Sequence, residues 1–234
     1  MKNLFYILPF LLIGVTNYYG KKDIAFHDVE VVDSLAYTQA EKDAILKGDT
    51  NDIMRILITS IYDDSLILRK QSREVRVDAS DSVLYRIVRR MYYTLMASGG
   101  GVGIAAPQVG INRDIIWLQR LDKVGKPFEY YLNPKIVLYS NKAVLFTGDG
   151  CLSIPGVNGN SHRYSAVVVE YDLLDGSHHE ELIEGYGGSN FTAIIFQHEI
   201  DHLNGILFID RLNKEPKGKL SRVAEINAVE LFKM

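Results

Sequence analysis

In the last third of the chain the run QHEIDH places His198, Glu199 and His202 within one helical turn of each other. On a helix, residues four apart share a face, so the two imidazoles converge on one point as a pair of zinc-type metal ligands. Glu199, one residue round from the first histidine, can reach a metal-bound water and serve as its general base. Ala193, Ile194, Ile195, Phe196, Ile200 and Leu203 make the same helix apolar nearly all round. Histidines and acids inside such a helix are costly unless paired or metallated, which weighs against a chance pattern on a solvated face. Asp201 is expected to orient a ligand histidine or to pair structurally.

Two histidines leave a tetrahedral site incomplete, and a third protein ligand is needed with the fourth position open to water. No His or Cys follows His202, and Asp210, Glu215, Glu225 and Glu230 stand in no ligand motif. Upstream lies Cys151, the only cysteine in 234 residues, within GDGCLSIPG. A lone cysteine closes no internal disulfide. As a third ligand it completes a Cys-His-His set, with Gly150 letting the backbone approach the metal. The alternative, a small buried hydrophobe, is the common role of a free cysteine. The surrounding glycines and proline fit that role less well.

Three stretches, GVGIAAPQVG (Gly101–Gly110), DGCLS (Asp149–Ser153) and QHEIDHLNG (Gln197–Gly205), together resemble the peptide deformylase family. The likeness runs from about Ile58 to Leu212. It implies hydrolysis of the N-formyl group of formyl-methionyl peptides by a metal hydroxide, with Glu199 as base and acid. It also implies that Cys151, His198 and His202 hold one divalent metal per chain, typically iron(II), with zinc, nickel or cobalt as substitutes. Gln108 and the Leu152 N–H would form the oxyanion hole. Val102, Gly103, Ile194 and Ile195 match the apolar pocket for the substrate side chain, usually methionine. Gly101 and Gly103 let the backbone run close to an extended peptide held by main-chain hydrogen bonds.

Two departures from the family pattern stand out. Asp149 replaces the usual glutamate two residues before the cysteine, and EGYGGSNF (Glu184–Phe191) is longer and richer in glycine than the common form. Asp149 and Arg163 bracket the cysteine loop and are expected to form a buried ion pair that fixes it, bidentate if the guanidinium fork faces the carboxylate. Two other readings stand beside the deformylase: an HExxH zinc peptidase, a class that usually finds its third ligand downstream, and a catalytically silent protein that holds a peptide N-terminus.

The elements that must position these residues form an α+β fold, with antiparallel strands around one buried HExxH helix, an N-terminal extension and a C-terminal helix. Ser80 is the expected cap of a helix to about Ser98, with Leu84, Ile87, Val88, Met91 and Leu95 on its buried face. Gly99–Gly101 stops it. Strands are expected at DIIWLQ, FEYYLNP, KAVLF and SAVVVEYDLL, with turns at Asp122–Pro127 and Asp175–Gly176. The motif helix takes Ser189 or Asn190 as cap and Gly205 as stop, and a last amphipathic helix covers Lys217–Phe232.

A net charge of −3 with no Lys/Arg run longer than two residues gives no electrostatic case for nucleic acid. The chain divides into residues 1–20, 21–57 and 58–234: an apolar leader, a polar extension with weak helical character, and the catalytic domain. The apolar run Leu4–Val15 makes only about 18 Å of helix, too short to span a bilayer, and reads as an export or anchoring signal with membrane contact. The family resemblance points instead to the cytoplasm or an organelle. The expected form is a monomer acting on N-formylated peptides.

Overall fold

Residues 33 and 35–212 are described in the computed structural model. The apolar leader and the helix expected at Lys217–Phe232 lie outside them. In order come α1 (Gln39–Leu46), α2 (Tyr62–Leu68), α3 (Ser82–Ala97), β1 (Gly103–Ala105), β2 (Ile115–Gln119), β3 (Phe128–Tyr139), β4 (Ala143–Gly150), β5 (Asn158–Tyr164), β6 (Ala166–Asp172), β7 (His178–Glu184) and α4 (Thr192–Leu203). One sheet has the strand order β1-β2-β3-β6-β7, and β4 and β5 form a separate hairpin. Every pairing of these strands is antiparallel. Among the described residues no helix is long and apolar enough to cross a membrane.

Strand β2 shows how the core is divided. Successive strand residues point to opposite faces, so Ile115 joins the cluster of Leu84, Ile87, Val88, Met91 and Leu95 from α3. Ile116 and Leu118 join Ala193, Ile195, Phe196, Ile200 and Leu203 from α4 on the other face. The sheet is therefore filled from both sides, and each fully buried side chain of this size contributes about 1.5–3 kcal/mol. The motif helix is held by its apolar residues so that its polar ones cannot turn to solvent.

The apolar face of α3 is the expected one, but its cap is not Ser80. The Asp81 carboxylate accepts the N–H groups of Val83 and Leu84, while Ser80 folds back onto Asp78. Strand β3 continues past Pro134, where the expected strand ends. A register irregularity between Leu132 and Lys135, with Asn133 at φ +49°, takes up the missing proline N–H.

The polar extension before Ile58 packs against the helix α3 cluster. Its weak helical signal becomes α1, capped by Thr38 and Glu41 in a reciprocal box, with Ile45 in the α3 cluster. Arg113, fully buried at the end of the β1–β2 connection, donates to the Leu35 and Ala36 carbonyls and to the Glu41 carboxylate. The compact unit accordingly starts at Asp33, ahead of the stretch that carries the family likeness.

Candidate active site

Strand β4 delivers the cysteine. A register shift between Phe146 and Asp149, with Gly148 at φ +80°, turns Asp149 inward and leaves Cys151 just past the end of the strand. The loop after it is tied down by Ile154 N–H to the Cys151 carbonyl (2.9 Å) and Thr59 N–H to the Ser153 carbonyl (2.9 Å). Gly150 also makes room for the facing strand of the hairpin, since a Cβ there would stand 2.5 Å from Asn158 Oδ1.

Helix α4 is buried along its whole length. Its N-cap is Phe191 rather than Ser189 or Asn190, although Asn190 Oδ1 still accepts the Thr192 N–H at 3.1 Å. Gly205 ends it as expected, with φ +68° and N–H groups of Gly205 and Ile206 returning to the His202 and Asp201 carbonyls. Gln197 locks the helix to β5, accepting the Tyr164 N–H at 2.8 Å and donating to its carbonyl at 2.8 Å.

These two elements bring Cys151, His198 and His202 together, with one potential ligand atom from each lying within 4.8 Å of the others. Cys151 Sγ is 3.2 Å from His202 Nε2. His198 Nδ1 meets Asp149 Oδ1 at 3.0 Å, which fixes the ring and leaves Nε2 for a ligand position. Burial holds His202 well below its ordinary pKa, which leaves its ring neutral. A thiol and two imidazoles, closely grouped and largely withdrawn from solvent, fit a divalent transition metal.

Asp149 and Arg163 do pair, and both are buried, but the contact is a single one of 3.3 Å rather than a bidentate fork. Arg163 divides its nitrogens between Asp149 and Asp201, and Asp201 also takes Arg211 at 2.7 Å. Asp201 is thus a structural partner and does not orient either histidine. Ser161 donates to Asp149 Oδ2 at 2.6 Å. Burial opposes charge on Asp149, yet the His198 hydrogen bond, the His198 and Arg163 charges and this hydroxyl outweigh it and keep the carboxyl far below its usual range.

Glu199 is buried, and its Oε2 has no protein partner. Desolvation raises its carboxyl to about 7, with the His198 charge opposing. The residue fits only because position 103 is glycine, where a Cβ would stand 2.3 Å from Glu199 Oε1. Gln108 lies in the 3-10 turn after β1. Its Oε1 accepts the Ala105 N–H at 2.9 Å, which aims Nε2 at Ser153 Oγ (3.2 Å) and Cys151 Sγ (3.5 Å). The Leu152 N–H has no acceptor among the described residues.

A cavity of about 470 Å³ opens onto these groups. Of the expected site residues it is lined by Gly101, Val102, Gly103, Gln108, Asp149, Cys151, Leu152, Ile194, Ile195, His198 and Glu199. His202 and Arg163 lie behind this wall. Phe146 and Phe191, which also line it, and Ser161 and Gln197 behind it, were not singled out from the sequence. For Ser161 and Arg163 a signal exists: they are two apart on β5 and both point inward.

The sequence model of the polypeptide deformylase family matches residues 57–218. Peptide deformylase 2 of Bacillus subtilis is 43% identical over 118 residues, 49% of this chain and 61% of that protein, so the match spans less than two thirds of the relative. Peptide deformylase 2 of Vibrio cholerae is 42% identical over 146 residues, 62% of this chain and 80% of that protein. Among solved structures, the peptide deformylase of Thermotoga maritima superposes with a TM-score of 0.59 at 34% identity, over 70% of this chain and 99% of that one. The class I type b enzyme of Acinetobacter baumannii with Met-Ala-Ser bound gives a TM-score of 0.59 at 31% identity, over 69% and 99%. With the family model matching most of its length, and with relatives of the same name in both sequence and structure, this chain belongs to the polypeptide deformylase family.

Proposed function

We propose that the chain is a metal-dependent peptide deformylase that releases formate from formyl-methionyl peptides, with Cys151, His198 and His202 holding its ion. The observation that carries this reading is the meeting of one thiol, two imidazoles and a buried carboxylate beside a single cavity, which Cys151, His198 and Glu199 line and His202 backs. A divalent cation held by Cys151, His198 and His202 would supply Lewis acidity for the attacking water and the formyl oxygen. The donor set accepts iron(II), cobalt, nickel or zinc, and iron(II) is the native ion in this proposal.

The protein residues do the rest. Glu199 takes a proton from the attacking water and passes it to the leaving amine nitrogen, so that formate and a free N-terminus result. Its desolvated carboxyl, raised to about 7, is matched to moving a proton in both directions near neutral pH. Gln108 Nε2 and the Leu152 N–H donate to the oxyanion, each worth about 3–4 kcal/mol in the transition state. The methionine side chain packs against Val102, Gly103, Ile194 and Ile195. The peptide main chain runs beside β1, an edge strand of the sheet, and β4, whose only strand partner is β5.

Glu199→Ala separates proton transfer from metal binding. The variant is expected to retain about one ion per chain while kcat on formyl-Met-Ala-Ser falls on the order of 10³-fold. Loss of the ion would make Glu199 a ligand, and retained activity would remove it from the mechanism.

A further inference from the structure

Beyond the metal site, a second groove adjoins the active-site cavity. Phe146 on β4 and Phe191 before α4 pack with ring centroids 5.4 Å apart. Both line the active-site cavity and also a second groove of about 550 Å³, shared with Val144, Leu145, Thr147, Tyr186, Gly187 and Gly188. Leu145 and Tyr186, a large apolar and a large aromatic side chain, are exposed by 51% and 44%.

The groove's outer wall is the Gly-rich stretch that departs from the family pattern, and it is fastened. Gly187 and Asn190 exchange N–H···O bonds of 3.0 and 3.2 Å. The Ala193 N–H returns to the Gly185 carbonyl at 3.0 Å. Tyr186 is held by Lys142, whose Nζ donates to its hydroxyl at 2.8 Å and lies 4.4 Å from the ring centroid.

Resting on the deformylase reading above, we infer that this groove is a second substrate subsite that binds apolar or aromatic side chains of the nascent peptide downstream of its methionine. Because Phe146 and Phe191 line both it and the catalytic cavity, the occupant it fits is the same peptide, passing from one to the other over these two rings. From Gly150 to Leu145 is about 17 Å of strand at about 3.4 Å per residue. An extended peptide with its formyl group at the metal site therefore reaches the groove with about its fourth and fifth residues. Tyr186 supplies the aromatic wall that selects for such side chains.

The test compares formyl-Met-Ala-Ser with formyl-Met-Ala-Ser-Leu-Phe and formyl-Met-Ala-Ser-Gly-Asp on the full chain. The Leu-Phe peptide is expected to show a kcat/KM about tenfold above the Gly-Asp peptide. Tyr186→Ala and Leu145→Ser should each reduce that preference while the tripeptide keeps its rate. Equal rates on both pentapeptides, or a preference that survives both substitutions, would overturn the subsite and leave the deformylase reading intact. Failure to hydrolyse formyl-Met-Ala-Ser at all would refute that reading and the subsite with it.

Discussion

Aspartate at position 149 is one methylene shorter than glutamate, and the short side chain spends one oxygen on His198 Nδ1 and the other on Ser161 and Arg163. It thereby joins His198, one of the proposed metal ligands, to a buried chain of charges running through Arg163 to Asp201 and Arg211. Asp149→Ala should lower metal affinity about 10–100-fold, because the ring it orients is then free to turn. Competition with a chelator measures this directly. The stability loss should stay below the roughly 3–5 kcal/mol of an unpaired buried charge, since Arg163 keeps Asp201. Unchanged metal affinity would mean that His198 is held by its packing alone. The grouping of Cys151, His198 and His202, the burial of Glu199 beside them and the Asp149–Arg163 contact were legible because spacing and residue chemistry restrict them tightly. The split of Arg163 between two carboxylates was not, because it depends on α4 and β5 facing each other.

At the scale of the elements, the strand that begins at Ile115 carries a titratable liability. Asp114, just ahead of it, has its carboxyl pushed up to about 6 by desolvation and by the charge of Glu74. A carboxyl whose folded value lies above its ordinary 3.8 favours folding at low pH, and that contribution is lost as pH rises through about 6. Asp114→Asn should therefore be more stable than the parent at pH 7.5, by on the order of 1–3 kcal/mol, and indistinguishable from it below pH 4. Urea unfolding at the two pH values checks this, and a constant difference would assign the effect to packing. Helix α3, α4 and strands β2 and β6 could be read from apolar periodicity. Strands β5 and β7 could not, since NGNSHRY and HHEELIE are polar segments formed by pairing with β4 and β6. Strand β1, three residues inside a Gly-rich motif, likewise shows itself only through its register with β2.

Across the whole molecule, a sheet filled from both faces sets α4 rigidly against the β4–β5 hairpin, and the catalytic cavity opens where the helix and the hairpin meet. The start of the folded unit at Asp33 was hidden from the sequence because a fully buried arginine far along the chain, Arg113, gathers in that segment. What this arrangement is for can be tested in one preparation. The full chain, purified without oxygen, is assayed for bound divalent metal and for formate released from formyl-Met-Ala-Ser. The account predicts about one iron per chain and rapid formate release that decays in air as the thiolate ligand oxidises with its metal. A metal-loaded protein that releases no formate would contradict it.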